Sequence, residues 1–200
     1  GDIPYLIHNL RSIRKFATGF RDLVLVVPLD EVDQFQVAEF GLKMVTYNRD
    51  PDRRKWHIHA QAQKCFADRY CPGADFIFHT DSDCIFVKPV NPEDYFVNGK
   101  PEMLYMRYEK LPSNYPWRKI VQSAMGFDPV YEFMQRHPQI NPISLYPAFR
   151  SFLEDKYQQD FEQWVLMLNP EFPWGITEHN FLGAFAFWEP EFHIKYHWVN

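Results

Sequence analysis

The chain has 200 residues, 46% hydrophobic and 18% aromatic, enough for one domain with a sizeable core and too apolar for a disordered segment. Its formal net charge of -5 argues against a dedicated nucleic-acid binder, and no apolar run approaches the ~20 residues of a membrane span. No signal peptide is visible, and Cys65, Cys71 and Cys84 fit no zinc spacing, so reduced thiols and a cytoplasmic location are the expectation.

Asp2 and Pro4 suit the start of a helix, in which Leu6, Leu10, Ile13 and Ala17 recur at helical spacing until Gly19. Leu23 to Val27 is an apolar run read as a strand and closed by Pro28. Val32 to Phe40 is predicted as a short helix and Lys43 to Tyr47 as a strand. A basic loop follows, with Arg49, Arg53, Arg54 and Lys55. One helix is predicted from Trp56 to Tyr70, with Ile58, Ala62, Cys65 and Phe66 inward and His57, Gln61 and Lys64 on another face. His57-Ile58-His59 is poorly spaced for a metal on a helix. Cys71-Pro72-Gly73 stops the helix and leads into Phe76-Ile77-Phe78, too short for a helix and read as a strand buried on both faces. This alternation predicts an α/β domain with a central, mostly parallel sheet flanked by helices.

Asp81-Ser82-Asp83 stands just beyond that strand, where open α/β sheets place ligands. Two acids at i, i+2 converge on one hard cation if the chain turns between them, and such a cation also takes phosphate oxygens. The bland alternative is a solvated turn, for which Asp and Ser are ordinary formers. Cys84 to Val87 resumes an apolar run that Lys88-Pro89 ends.

Beyond Pro89 the alternation breaks down. Asn91 to Phe96 reads as a helical turn, Met103 to Tyr108 as a strand, and Lys119 to Met125 and Tyr131 to His137 as helices. Leu153, Tyr157, Phe161, Trp164 and Leu168 mark one long amphipathic helix. Thr177 caps an almost wholly apolar helix through Trp188, so its polar first turn, Glu178-His179-Asn180, is expected to open on a cleft. His193 to Val199 reads as a closing strand with His193, Lys195 and His197 on one face.

The helix with Gln61, Gln63 and Lys64, the apolar strand, Asp81-Ser82-Asp83 and then Ile85-Phe86-Val87-Lys88-Pro89 together resemble the GT-A glycosyltransferases, most specifically over Trp56 to Pro89. The stretch is also similar to glycosyltransferase domains of chlorella viruses, which implies the host cytoplasm. The resemblance implies a single Rossmann-like domain over 1–200, with 1–109 the nucleotide-sugar half and 110–200 the acceptor side. It implies an enzyme that moves a sugar from a UDP-sugar to a carbohydrate or glycoprotein-glycan acceptor, using Mn²⁺ or Mg²⁺.

Carried over residue by residue, Asp83 would bind metal directly, Asp81 metal or ribose, and Ser82 would lie in the same donor site. A late-strand His often joins the metal in that family; His197 is the first choice and His193 the second. Glu178 would be the base or a sugar ligand, with His179 beside it. Lys64 and Arg53 would neutralise the donor diphosphate. The family normally opens with a strand whose loop holds the nucleobase. Here the chain opens on the helix that should follow it, so either a strand precedes Gly1 or the base is held differently.

Three other readings compete. A nucleotidyltransferase of related fold would want a Gly-rich basic loop, and an Asp-x-Asp phosphatase would carry its nucleophile after the first strand. A carbohydrate-binding module would use the loop aromatics Tyr115, Trp117 and Trp174. Asp128 in Gly126-Phe127-Asp128 is a candidate for a sugar hydroxyl, with an ordinary turn as the alternative reading.

Overall fold

Helix α1 (Ile3–Phe16) buries Leu6 and Leu10 one turn apart, against Val37 and Phe40. Strands β1 (Val24–Pro28) and β2 (Lys43–Tyr47) pair in parallel beside it, and Leu23 and Leu25 join that small core. The computed structural model describes residues 3–35, 37–112, 117–134, 138–168 and 175–200. The predicted capping by Asp2 lies outside them.

The main core is separate. It gathers Ile58 and Ala62 of α2 (Trp56–Lys64), Tyr146, Phe149 and Leu153 of α5 (Leu145–Tyr157), and Phe181, Leu182 and Phe185 of α7 (Glu178–Trp188). α7 is apolar nearly all round, as a helix surrounded by protein should be. Arg150 crosses this core to Asp68 of α3 (Ala67–Tyr70), with a fork of bonds at 2.6 and 2.8 Å and a further bond to the Cys65 carbonyl.

The predicted central, mostly parallel sheet is not present among the described residues. The described strands form separate sheets of two or three strands. β3 (Phe76–His79) pairs antiparallel with β8 (Gln139–Pro142), although the sequence around Asn141 to Pro147 reads as a Pro-punctuated loop. β5 (Lys100–Leu104) pairs antiparallel with β4 (Phe96–Val97) and parallel with β9 (His197–Val199). β6 (Met106–Arg107) pairs antiparallel with β7 (Tyr131–Glu132). The physical reason is a cleft of about 1240 Å³ that Val24, Leu25 and Val26 of β1 and all of β3 line together. Side chains alternate faces along a strand, so consecutive lining residues mean that the cleft runs along the strand edges and keeps β1 from pairing with β3.

Other expectations change for local reasons. Phe76 is 38% exposed, so β3 is not buried on both faces, and Ile85 and Val87 of the following apolar run stand out in solvent. The predicted Trp56–Tyr70 helix breaks at Cys65 and Phe66, where backbone bonds shorten to i→i+3. Leu153 to Leu168 is two helices: Gln158 turns left-handed (φ 51°), and Asp160 accepts from the Glu162 and Gln163 amides to start α6 (Phe161–Leu166). In place of one helix over Val32 to Phe40, the described residues form two short 3₁₀ turns, Leu29–Gln34 and Ala38–Phe40. Tyr131 and Glu132 are strand, not helix, and Met103 to Tyr108 breaks at Tyr105. His193 ends a helical turn, α8 (Pro190–His193), begun by Pro190, so only His197 to Val199 is strand. The helix α4 (Trp117–Met125) and the turn at Pro92–Tyr95 match expectation. No described helix is long and apolar enough to cross a membrane.

Candidate functional site

The chain leaves β3 at His79 and folds Asp81 to Cys84 into a turn, closed by the Cys84 amide on the Asp81 carbonyl at 3.1 Å. That turn brings the two acids to one place. Two buried polar residues of α1 pin it from behind. The Asn9 amide donates to the carbonyls of Asp81 (3.2 Å) and Cys84 (2.6 Å), and the Ser12 hydroxyl accepts from the Phe86 amide (3.0 Å).

Lys64, the last residue of α2, reaches into the same place. Its Nζ lies 2.5 Å from Asp81 Oδ1 and 2.5 Å from Glu178 Oε1, at the first turn of α7. Asp81, Glu178 and His179 each offer an atom within 4.8 Å of the others, and Asp81, Asp83 and Cys84 form a second such group. Burial works against charging Lys64, but Glu178 and then Asp81 outweigh it and raise its pKa. Burial likewise works against the Asp81 carboxylate, and Lys64 overturns it, leaving Asp81 below the usual carboxylate range.

Two histidines are held neutral. Burial lowers His179 despite the nearby Glu178. Gln139 donates to the His179 carbonyl (2.9 Å), which turns its own Oε1 toward Nδ1 of the ring (3.2 Å). Nδ1 therefore carries the proton, and the bare Nε2 faces Glu178 Oε1 at 3.4 Å. Burial, with His179 and Lys64 adding to it, pushes His79 down to about 3. His79 shares a 2.6 Å hydrogen bond with the Tyr146 hydroxyl, and Asn141 ties that hydroxyl to Tyr196.

Lys64, Asp81, Ser82, Asp83, Glu178 and His179, all named from sequence, line the one cleft. The others do not join them. Arg53 lies over the Trp56 ring, where Arg49 also stacks, and Arg49 pairs with Asp30 and Glu31. His197 sits exposed on β9 opposite Glu102, and His193 binds the Phe187 carbonyl, so neither reaches the acids. Asp128 is taken up by Arg118 at 2.6 and 2.8 Å. Asn180 is buried, bonded to the Phe133 amide and the Thr177 hydroxyl. His59 is held between Glu162 and the Asp50 amide. Trp117 lines the cleft, while Tyr115 and Trp174 lie outside the described residues.

Sequence reasoning missed His79, Asn9 and Ser12. His79 was within reach, because period 2 from the inward Ile77 puts it on the same face, next to the acids. Asn9 and Ser12 gave no signal beyond polarity on the inner side of an amphipathic helix. Comparison with protein-family models, with curated proteins and with solved structures finds no match.

Proposed function

We propose that the chain is a metal-dependent glycosyltransferase that moves a sugar from a nucleotide donor, a UDP-sugar, to a carbohydrate acceptor. The observation that carries this reading is the convergence of Asp81, Asp83, Glu178, His179 and Lys64 on one cleft. It stands on the site and not on the order of the strands, because function belongs to sites that many folds can carry.

The residues fit a divalent ion. Carboxylate oxygens with one imidazole suit Mn²⁺ or Mg²⁺ better than a soft metal. The Lys64 ammonium already stands as a cation between two of the carboxylates. The lone pair of His179 Nε2 faces a carboxylate oxygen, an arrangement that a shared cation relieves, while Gln139 holds the other ring nitrogen as metal-binding histidines commonly require.

Asp81 and Asp83 would hold the ion, with Glu178 and His179 in reach. The ion would stabilise the charge of a leaving diphosphate. Lys64 adds a mobile positive charge to the same task. Asn9 and Ser12 keep the acidic turn in place, so its carboxylates need little reorganisation on binding.

Calorimetry with UDP, with and without Mn²⁺, tests the reading, followed by a mass-spectrometric screen of UDP-sugar donors. Binding that requires Mn²⁺ and raises the melting temperature is expected. Equal UDP binding in EDTA and in Mn²⁺ overturns it.

A further inference from the structure

Lys64 occupies the space between Asp81 and Glu178 that an ion held by these groups would need. Its ammonium bonds one oxygen of each carboxylate at 2.5 Å. The two carboxylates and the bare His179 nitrogen are mutually within 4.8 Å, too close for an ammonium and a metal ion to share without rearrangement.

We infer that Lys64 is a built-in counter-cation, which a divalent ion must displace from Asp81 and Glu178, and which then turns to the donor diphosphate. The inference rests on the metal-dependent reading above. Three features on the same helix support it. Lys64 closes α2, where the helix dipole favours a cation. Its side chain keeps 28% of its exposure, so the flexible stem can swing within the cleft. One turn earlier, Gln61 lines the same cleft, and its buried Oε1 has no hydrogen-bond partner among the described residues, which leaves an acceptor on the side to which the ammonium would turn.

Charge sets the order of events. Asp81, Asp83 and Glu178 carry three negative charges, and Lys64 returns only one of them. In that state the site repels a diphosphate. A divalent ion cancels the remainder and leaves the ammonium without its carboxylate partners. The site has then gone from two net negative charges to none, with the Lys64 ammonium released toward the diphosphate, so metal precedes donor.

The test is Mn²⁺ affinity without nucleotide, by titration calorimetry, on the wild-type chain, Lys64→Met, Lys64→Arg and Asp83→Asn. Lys64→Met is expected to bind Mn²⁺ about tenfold more tightly than wild type, and Lys64→Arg no more tightly. The gain in UDP affinity that Mn²⁺ brings should shrink in Lys64→Met, because the second half of the exchange is lost. A measurement on the wild-type chain covers the case in which Lys64→Met does not fold. Acylation of lysines, read by mass spectrometry, should rise at Lys64 alone when Mn²⁺ is added. Unchanged or weaker Mn²⁺ binding by folded Lys64→Met overturns the inference, as does Lys64 labelling that ignores Mn²⁺. If Asp83→Asn loses Mn²⁺ while Lys64→Met matches wild type, the exchange alone fails. If no form binds Mn²⁺ at about 1 mM, the metal reading fails with it.

Discussion

Replacing each acid of the turn by Asn separates what holds the turn from what it holds. Asp83 is exposed and forms no ion pair among the described residues, so Asp83→Asn should change stability by no more than about 0.5 kcal/mol. Asp81 is different, because it shares Lys64 with Glu178. A hydrogen bond between charged groups contributes ~1.5–3 kcal/mol, and the 48% exposure of the Asp81 side chain cuts that to about 1 kcal/mol. For a chain of this length, such a loss lowers Tm by about 2–4 °C. Asp81→Asn should therefore melt measurably earlier than wild type, and Asp83→Asn should not. Both should lose Mn²⁺ binding and sugar transfer, measured by calorimetry and by donor consumption on the folded variants. Full Mn²⁺ affinity and transfer in Asp83→Asn would refute the metal site and the glycosyltransferase assignment built on it.

Arg150→Met leaves the Asp68 carboxylate and the Cys65 carbonyl without their buried donor, and urea denaturation should show a loss of about 3–5 kcal/mol. Gly183→Ala drives a methyl group into the ring and Cβ of the buried Phe133, and the overpacking, about 1–3 kcal/mol, should exceed the ~1 kcal/mol gained in helix propensity; a higher Tm would show that Phe133 gives way. His79 is held neutral with its pKa pushed down to about 3, so the unfolded chain takes up this proton first as pH falls. Its contribution is complete above pH ~6.5 and is lost as pH drops toward 3. The stability gap between wild type and His79→Gln should narrow over that range, and a constant gap would mean that His79 takes up its proton as readily in the fold as in the unfolded chain.

The candidate site was legible in the sequence because its members are polar residues in conspicuous places. Asp81 and Asp83 follow an apolar strand, Glu178 and His179 open an apolar helix, and Lys64 lies off the buried stripe of α2. The fold was legible only element by element. Phe76-Ile77-Phe78 forms a strand as its pattern requires, but pattern does not choose a partner, and Gln139-Ile140-Asn141-Pro142 carries a proline that hid its pairing. Breaks inside long patterns were equally hidden: hydrophobic spacing continues through Gln158, where the backbone turns left-handed. Arg53 and His197 failed because spacing gives a side chain's direction and says nothing of which neighbour claims it first. Trp56 claims the first, and the pairing of β9 with β5 carries the second away from the acids.

The same limit explains the role of Lys64. From sequence, it is a cation aimed at a phosphate, and Asp81 and Asp83 are two acids that repel each other until a metal arrives. On that account, removing one acid leaves the metal-free fold unchanged or slightly more stable. The structure puts the cation between Asp81 and Glu178, which reverses the expected sign for Asp81 and leaves it for Asp83. The charges that would bind the ion therefore hold α2, the acidic turn and the start of α7 together without it. Such a site resists collapse when empty, and any ion that enters must first break the contacts that Lys64 makes.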